Sequence, residues 1–268
     1  MQTLMPNAFK AALSGPRPLI GVWSMLNSTT AVEVLGSAGF DWILLDGEHS
    51  PMELDDAISH LRVLAATATA PIVRLPANDP ILFKRFLDIG VTTVMLPQVQ
   101  SAAEAKAAAA AMHYPPVGGR GVAVMHRASG YGRTPKYLEK ASESLCLIVQ
   151  IETTAALDRL EEIASVDGVD ALFFGPGDLS ATMGLIGQPD HPKVQDAIAK
   201  AFEHAQQLRI PAGVLAPNPA AAQRYIEMGF AFVSVANDLA LLVSNADAAA
   251  KRFGEAAAGA RNRHAGPA

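Results

Sequence analysis

The sequence predicts a (β/α)8 TIM barrel, the α/β fold in which eight parallel strands close on themselves inside a ring of helices. Three observations carry that prediction. Eight short apolar runs recur along the chain, helical segments fall between them, and 268 residues is a length that one barrel domain commonly takes. An open doubly wound sheet is the competing architecture.

The runs are Ile20–Leu26, Trp42–Asp46, Pro71–Leu75, Thr93–Pro97, Leu145–Ile151, Ala171–Gly175, Ala212–Ala216 and Ala231–Ala236. Each is short, contains β-branched or aromatic residues and lacks polar alternation, as a parallel strand covered on both faces requires. After the first run, Thr29–Ala38 reads as a helix stopped by Gly39. Leu54–Ala66 follows the turn at Ser50–Pro51. Asp79 then serves as N-cap with Pro80 at the first helical position, opening a helix that ends near Gly90. Ser101–Met112, Thr153–Ser165, Lys193–Leu208 and Pro219–Met228 continue the rhythm. His113–Lys140 departs from it, a long connection rich in Gly, Pro and Arg of the kind that is functional or poorly ordered. The whole chain, 1–268, reads as a single domain with residues 255–268 as a flexible tail.

Composition narrows the function. The net charge is −5, and the basic residues are scattered, which argues against a nucleic-acid partner. An anionic substrate would need a local positive site to overcome that sign. The lone Cys146 excludes an intramolecular disulfide and, inside an apolar run, reads as a small buried hydrophobe. No signal peptide and no window of about 20 large apolar residues is found, so a cytoplasmic protein is expected.

Barrel enzymes carry their chemistry at the C-terminal ends of the strands. Here those ends read Asp46-Gly47-Glu48-His49, Arg74, Pro97-Gln98, Gln150-Ile151-Glu152, Gly175-Pro176-Gly177-Asp178 and Asn237-Asp238. Glu152 and Asp178 stand at the mouths of consecutive strands. Two carboxylates without His or Cys companions suit a hard divalent cation, Mg²⁺ or Mn²⁺, and leave coordination positions open. The plainer alternative is a pair of loop acids, with Asp178 capping its own turn. His49, three residues past Asp46, has the neighbour a general base needs; otherwise it is an exposed loop histidine. Arg74 either holds a substrate carboxylate or developing oxyanion, or pairs with Asp46 or Glu48, and the two are compatible. Gly175-Pro176-Gly177 and Gly118-Gly119-Arg120-Gly121 would let backbone N–H groups approach an anion. Every lysine falls in a helix, loop or terminus and none on a strand, so imine chemistry is disfavoured and a metal is left as the electron sink.

The segments LLDGEHSP, RLPANDP, VMLPQVQSAAEA, YPPVGGRGVA, VQIET, GPGDLSATMG and QPDHPKV, in order across residues 15–255, resemble the HpcH/HpaI aldolase family. The resemblance is strongest to its members that act on 4-hydroxy-2-oxoheptanedioate and on 2-keto-3-deoxy sugar acids. It implies a class II pyruvate aldolase, with Mg²⁺, Mn²⁺ or Co²⁺ held by Glu152 and Asp178, and with pyruvate and an aldehyde as reactants. It implies His49 as base with Asp46 in support, Arg74 on the keto oxygen, and Asp88 reaching a neighbouring subunit's histidine. By the same resemblance Trp23, Val122 and Leu215 line the aldehyde side, and Gln150 with Gly175, Pro176 and Gly177 borders the substrate. It further implies a last helix exchanged between subunits of a homohexamer built from two trimers. The loop after Gly121 is about a residue shorter than in the heptanedioate enzymes, which leaves the aldehyde open. The alternatives are a citramalyl- or malyl-CoA lyase, for which no cluster of basic groups is found, and a barrel that binds metal or keto acid without turnover.

Overall fold

Each apolar run becomes a strand because parallel neighbours and an outer helix layer take its two faces out of water. The computed structural model describes residues 6–264, with side chains described through residue 257. In chain order its elements are α1 (Ala8–Ala12), β1 (Leu19–Ser24), α2 (Thr29–Gly36), β2 (Trp42–Asp46), α3 (Leu54–Leu64), β3 (Ala70–Arg74), α4 (Pro80–Asp88), β4 (Thr93–Leu96) and α5 (Ala102–Met112). A 3₁₀ turn (Arg127–Ser129), α6 (Tyr137–Lys140) and a second 3₁₀ turn (Ala141–Ser144) precede β5 (Cys146–Ile151). Then come α7 (Thr154–Asp158), α8 (Leu160–Ala164), β6 (Ala171–Phe174), α9 (Pro176–Thr182), α10 (Pro192–Gln207), β7 (Ala212–Leu215), α11 (Pro219–Met228), β8 (Phe232–Asn237) and α12 (Asp238–His264). The eight strands pair in sequence order, all parallel, and β8 closes on β1. This is the predicted closed barrel; the open sheet is excluded.

Successive strand residues point to opposite faces, and two separate hydrophobic clusters record that alternation. Inside the barrel lie Trp23, Trp42, Leu44, Ile72, Met95, Ile148, Phe173 and Phe232. Their strand neighbours Val22, Ile43, Leu45, Val73, Val94, Val149 and Phe174 pack outward against the helices. The Trp42 ring fills its layer only because β1 carries Gly21 opposite it: a Cβ at residue 21 would overlap the indole. Short α1 closes the N-terminal end, placing Phe9 edge-on to Phe232 at 5.3 Å. Asn7 caps this helix through Lys10 N (2.9 Å) and ties it to Thr93 Oγ1 (2.9 Å). No apolar run marks α1, so it was not expected.

The predicted Thr153–Ser165 helix is two pieces, α7 and α8, joined at Arg159. The His113–Lys140 connection is folded onto α4: Arg120 meets Asp88 at 2.7 Å and Arg127 donates to the Ile89 carbonyl at 2.7 Å. In place of a tail beginning at residue 255, α12 runs on to His264; residues 265–268 lie outside the described residues. No helix among the described residues is long and apolar enough to cross a membrane.

On α3, His60 is buried and its Nδ1 has no hydrogen-bond partner. Burial holds its pKa below the ordinary imidazole value, against a smaller pull from Asp56. The unfolded chain therefore binds this proton more readily than the folded one, and stability is lost as pH falls through about 6.5. His60→Leu is expected to flatten the decline of melting temperature between pH 7 and pH 5, read by circular dichroism. An unchanged slope would assign that decline to other groups.

Candidate functional site

The inward parity that supplies aromatics in the middle of the barrel delivers charge at its C-terminal mouth. On β2 it brings Asp46 inward after Leu44, on β3 Arg74 after Ile72, and on β5 Gln150 after Ile148, with Glu152 following. Strand register sets Asp46 directly beside Arg74. Arg74 Nε donates to Asp46 Oδ1 at 2.8 Å and Nη2 to Oδ2 at 2.7 Å, a two-pronged pair with both side chains buried. The guanidinium also lies 4.3 Å over the Trp23 ring. Its remaining terminus, Nη1, faces Gln150 Oε1 at 3.4 Å and Glu48 Oε2 at 2.9 Å. Gln150 in turn donates through Nε2 to Glu152 Oε2 at 2.9 Å, while the Gln98 amide donates to Oε1 at 2.7 Å. One continuous polar chain therefore runs Asp46–Arg74–Gln150–Glu152 across the mouth.

This chain borders a cavity of about 180 Å³ whose lining includes Trp23, His49, Glu152, Gly175, Gly177, Asp178 and Leu215. Asp178 sits in the first turn of α9, where Pro176 occupies the start of the helix after the Gly175 N-cap. Gly175 has to lack a side chain: a Cβ there would stand 2.7 Å from Glu152 Oε2. Burial pushes the Glu152 carboxyl up to about 7, with Asp178 and Glu48 adding to the rise and the Gln98 amide and Arg74 opposing it. A buried carboxylate crowded by two others is short of positive charge, and a cation between Glu152 and Asp178 would supply it. The donors are all oxygen, which suits a hard divalent ion. No cluster of three or more His, Cys, Asp or Glu exists among the described residues to enclose one, so the pair would leave most positions open.

The predicted residues divide into two sets. His49, Arg74, Trp23, Gln150, Glu152, Gly175, Gly177, Asp178 and Leu215 meet at one cavity, with Asp46 directly behind Arg74. Asp88, Val122 and Pro176 do not line this chain's cavity; Pro176 is buried in the first turn of α9. Asp88 is held by Arg120 on the outer helix layer, and Val122 is 62% exposed. The expected link from Asp46 to the His49 ring is corrected: Asp46 Oδ1 accepts the His49 backbone N–H at 3.4 Å, and both oxygens are taken by Arg74. The carboxylate nearest the imidazole is Glu48, with Oε2 at 3.8 Å from Nε2. Phe173 and Met25 also line the cavity and were missed. Strand parity on β6 would have found Phe173; Met25 lies beyond its strand, where parity says nothing.

A family model described as HpcH/HpaI aldolase/citrate lyase matches residues 19–245. The chain is 46% identical over 251 residues to a protein of Shigella sonnei named 4-hydroxy-2-oxo-heptane-1,7-dioate aldolase, covering 93% of this chain and 96% of that one. A crystal structure of an HpcH/HpaI aldolase/citrate lyase family protein from Burkholderia cenocepacia superposes with a TM-score of 0.89 at 38% identity, covering 92% of this chain and 99% of the other. An HpcH/HpaI aldolase from Desulfitobacterium hafniense superposes with a TM-score of 0.83 at 28% identity, covering 91% and 95%.

The Gly175 contact yields a test of the carboxylate pair. Gly175→Ala has to displace Glu152, and is expected to weaken Mn²⁺ binding by about 10–100-fold, the scale for disturbing the support of a metal ligand. Titration calorimetry reads it; undiminished affinity would show that Glu152 is not a ligand.

Proposed function

The chain belongs to the HpcH/HpaI aldolase/citrate lyase family, and on that footing we propose that it is a divalent-metal-dependent aldolase cleaving a 4-hydroxy-2-oxo acid reversibly to pyruvate and an aldehyde. The observation that carries the chemistry is the buried Glu152 beside Asp178, joined through Gln150 to Arg74 in one cavity with His49. Glu152 and Asp178 would hold the cation, Mg²⁺, Mn²⁺ or Co²⁺. When bound, it supplies Lewis-acid stabilisation of the charge that grows on the substrate's keto oxygen.

The protein's own groups do the rest. Arg74, held along one edge by both oxygens of Asp46, keeps Nη1 beside Gln150 at the cavity wall, where it would meet that same oxygen. His49 takes the proton from the C4 hydroxyl. The C3–C4 bond pair passes into the pyruvate enolate, the aldehyde leaves, and the proton on the imidazole returns to C3. In the reverse direction the same ring removes a methyl proton from pyruvate. Trp23, Phe173 and Leu215 exclude water from the apolar side of the cavity. Its modest volume accommodates a small oxo acid and is poorly suited to a coenzyme A thioester.

Two further features support an assembly of several copies in which α12 is exchanged between subunits. From Leu239 onward α12 carries exposed Leu241, Leu242, Val243 and Phe253, and its main contacts with its own barrel are to β1 and β8. Asp88 and Val122 face away from this chain's cavity, where a second copy could receive them. The reading is a homohexamer.

Deuterium exchange into the pyruvate methyl group, followed by NMR with added Mn²⁺, tests the catalytic reading without knowledge of the aldehyde. Glu152→Gln and Asp178→Asn should abolish metal-restored exchange, and His49→Ala should slow it by about 10²–10⁴-fold. Full exchange in EDTA-treated protein, or a pyruvate adduct trapped by borohydride, would refute the metal mechanism. For the assembly, Leu242→Glu with Val243→Glu should shift the mass in light scattering toward a single copy; an unchanged hexamer would place the contact elsewhere.

A further inference from the structure

We infer that Glu48 is a positioning residue that exchanges partners during turnover, bracing Arg74 in the free enzyme and pairing with the His49 imidazolium once the substrate's keto oxygen has taken Arg74 Nη1. The inference rests on the aldolase reading and adds a residue to it.

Glu48 stands between two cationic groups and is well matched to neither. Its Oε2 lies 2.9 Å from Arg74 Nη1 and 3.8 Å from His49 Nε2. That oxygen is shut off from solvent, yet it has no aligned hydrogen bond. The other donors of Arg74 are better used, because Nε and Nη2 grip Asp46 in parallel. Nη1 is shared between Glu48 and a long contact to Gln150 Oε1, and it is the donor directed at the cavity. A keto oxygen that bonds Nη1 therefore competes with Glu48 and leaves Asp46 in place.

A displaced carboxylate needs a new partner, since leaving it buried and unpaired is costly. Asp46 is bound to Arg74, and Glu152 is held by the Gln98 amide and Gln150. Asp178 faces the cavity from α9. Among the described residues, Glu48 is the carboxylate within ion-pair distance of the His49 ring. Burial disfavours charge on Glu48, as do Asp46 and Asp178, while Arg74 and His49 oppose this, so its charge depends on keeping one of those two cations close.

The proton ledger then closes without a change at Glu48. His49 carries its resting proton on Nε2, toward Glu48, and accepts the C4 hydroxyl proton on Nδ1. The resulting imidazolium pairs with the Glu48 carboxylate while the C3–C4 bond breaks. Nδ1 then delivers its proton to C3, pyruvate departs from Arg74, and Glu48 returns. A carboxylate set against the imidazole stabilises its protonated form only while that form exists.

Glu48→Gln keeps the shape and removes the charge. It should lower kcat about tenfold and also lower KM for the hydroxy-oxo acid about two- to fivefold, because substrate no longer displaces a carboxylate from Arg74. A residue that merely braces Arg74 would raise KM instead. The kcat pH profile should show its acidic limb shifted to lower pH. In a His49→Asn background the same substitution should cost less than about twofold, since the imidazole it serves is gone. Should Glu48→Gln fail to fold, Glu48→Asp, which withdraws the carboxylate by one methylene, should show the same split. Unchanged kcat, a rise in KM, or a fully additive loss in the double variant would overturn the inference. An inactive wild type would count against the aldolase reading itself; an active wild type with an indifferent Glu48→Gln would count against Glu48 alone.

Discussion

The period of two residues along a strand of a closed parallel barrel governs this molecule from core to cavity. Once Trp42, Leu44, Ile72 and Ile148 are committed to the interior, Asp46, Arg74 and Gln150 have no choice but to follow them inward. Apolar layers fill the lower barrel to close packing, and the same parity spends its last inward positions on charge at the open end. A register slip of one residue on β2 would exchange Asp46 for a leucine and leave a buried arginine unpaired. Core and site are therefore specified together.

The polar layer is organised around Arg74. A buried ion pair contributes little net stability, because desolvating both ions offsets their attraction. Its value here is geometric. Two parallel hydrogen bonds to Asp46 and the stack on Trp23 leave the guanidinium one direction in which to face, toward Gln150, Glu48 and the cavity. Around that single cation stand Asp46, Glu48, Glu152 and Asp178. The excess of carboxylates would repel an anionic oxo acid, and it is the physical argument that this cavity is built to work with an added cation.

The outer shell shows a second kind of specification. Asp88, on α4, is held by the buried Arg120, and Val122, two residues further along, is exposed. The long His113–Lys140 connection is packed and hydrogen-bonded, with Val122, Val124 and Met125 exposed on its surface. Together with the apolar side chains of α12, this surface is costly to leave in water.

The sequence alone determined the barrel, the eight strands to within a residue or two at most ends, and the residues that gather at its mouth. These follow from periodicity and from the strand-end rule, both local properties. The absence of a strand lysine and the Glu152/Asp178 spacing were equally local. Tertiary structure decided what locality cannot reach. Sequence proximity suggested Asp46 as the partner of His49, but Arg74, 28 residues away, outbids the ring with two aligned donors. Helix α1 is short and carries no periodic pattern, and exists because the barrel floor needs a plug. The continuation of α12 past residue 254 could not be read from an alanine-rich stretch that suits a tail as well as a helix. The pairing of Glu48 with Arg74 was legible as one of two options for the arginine, but that the same oxygen also faces the His49 ring is set by the fold. Which partner a charge takes depends on three-dimensional distance and alignment, and those exist only once the strands have closed.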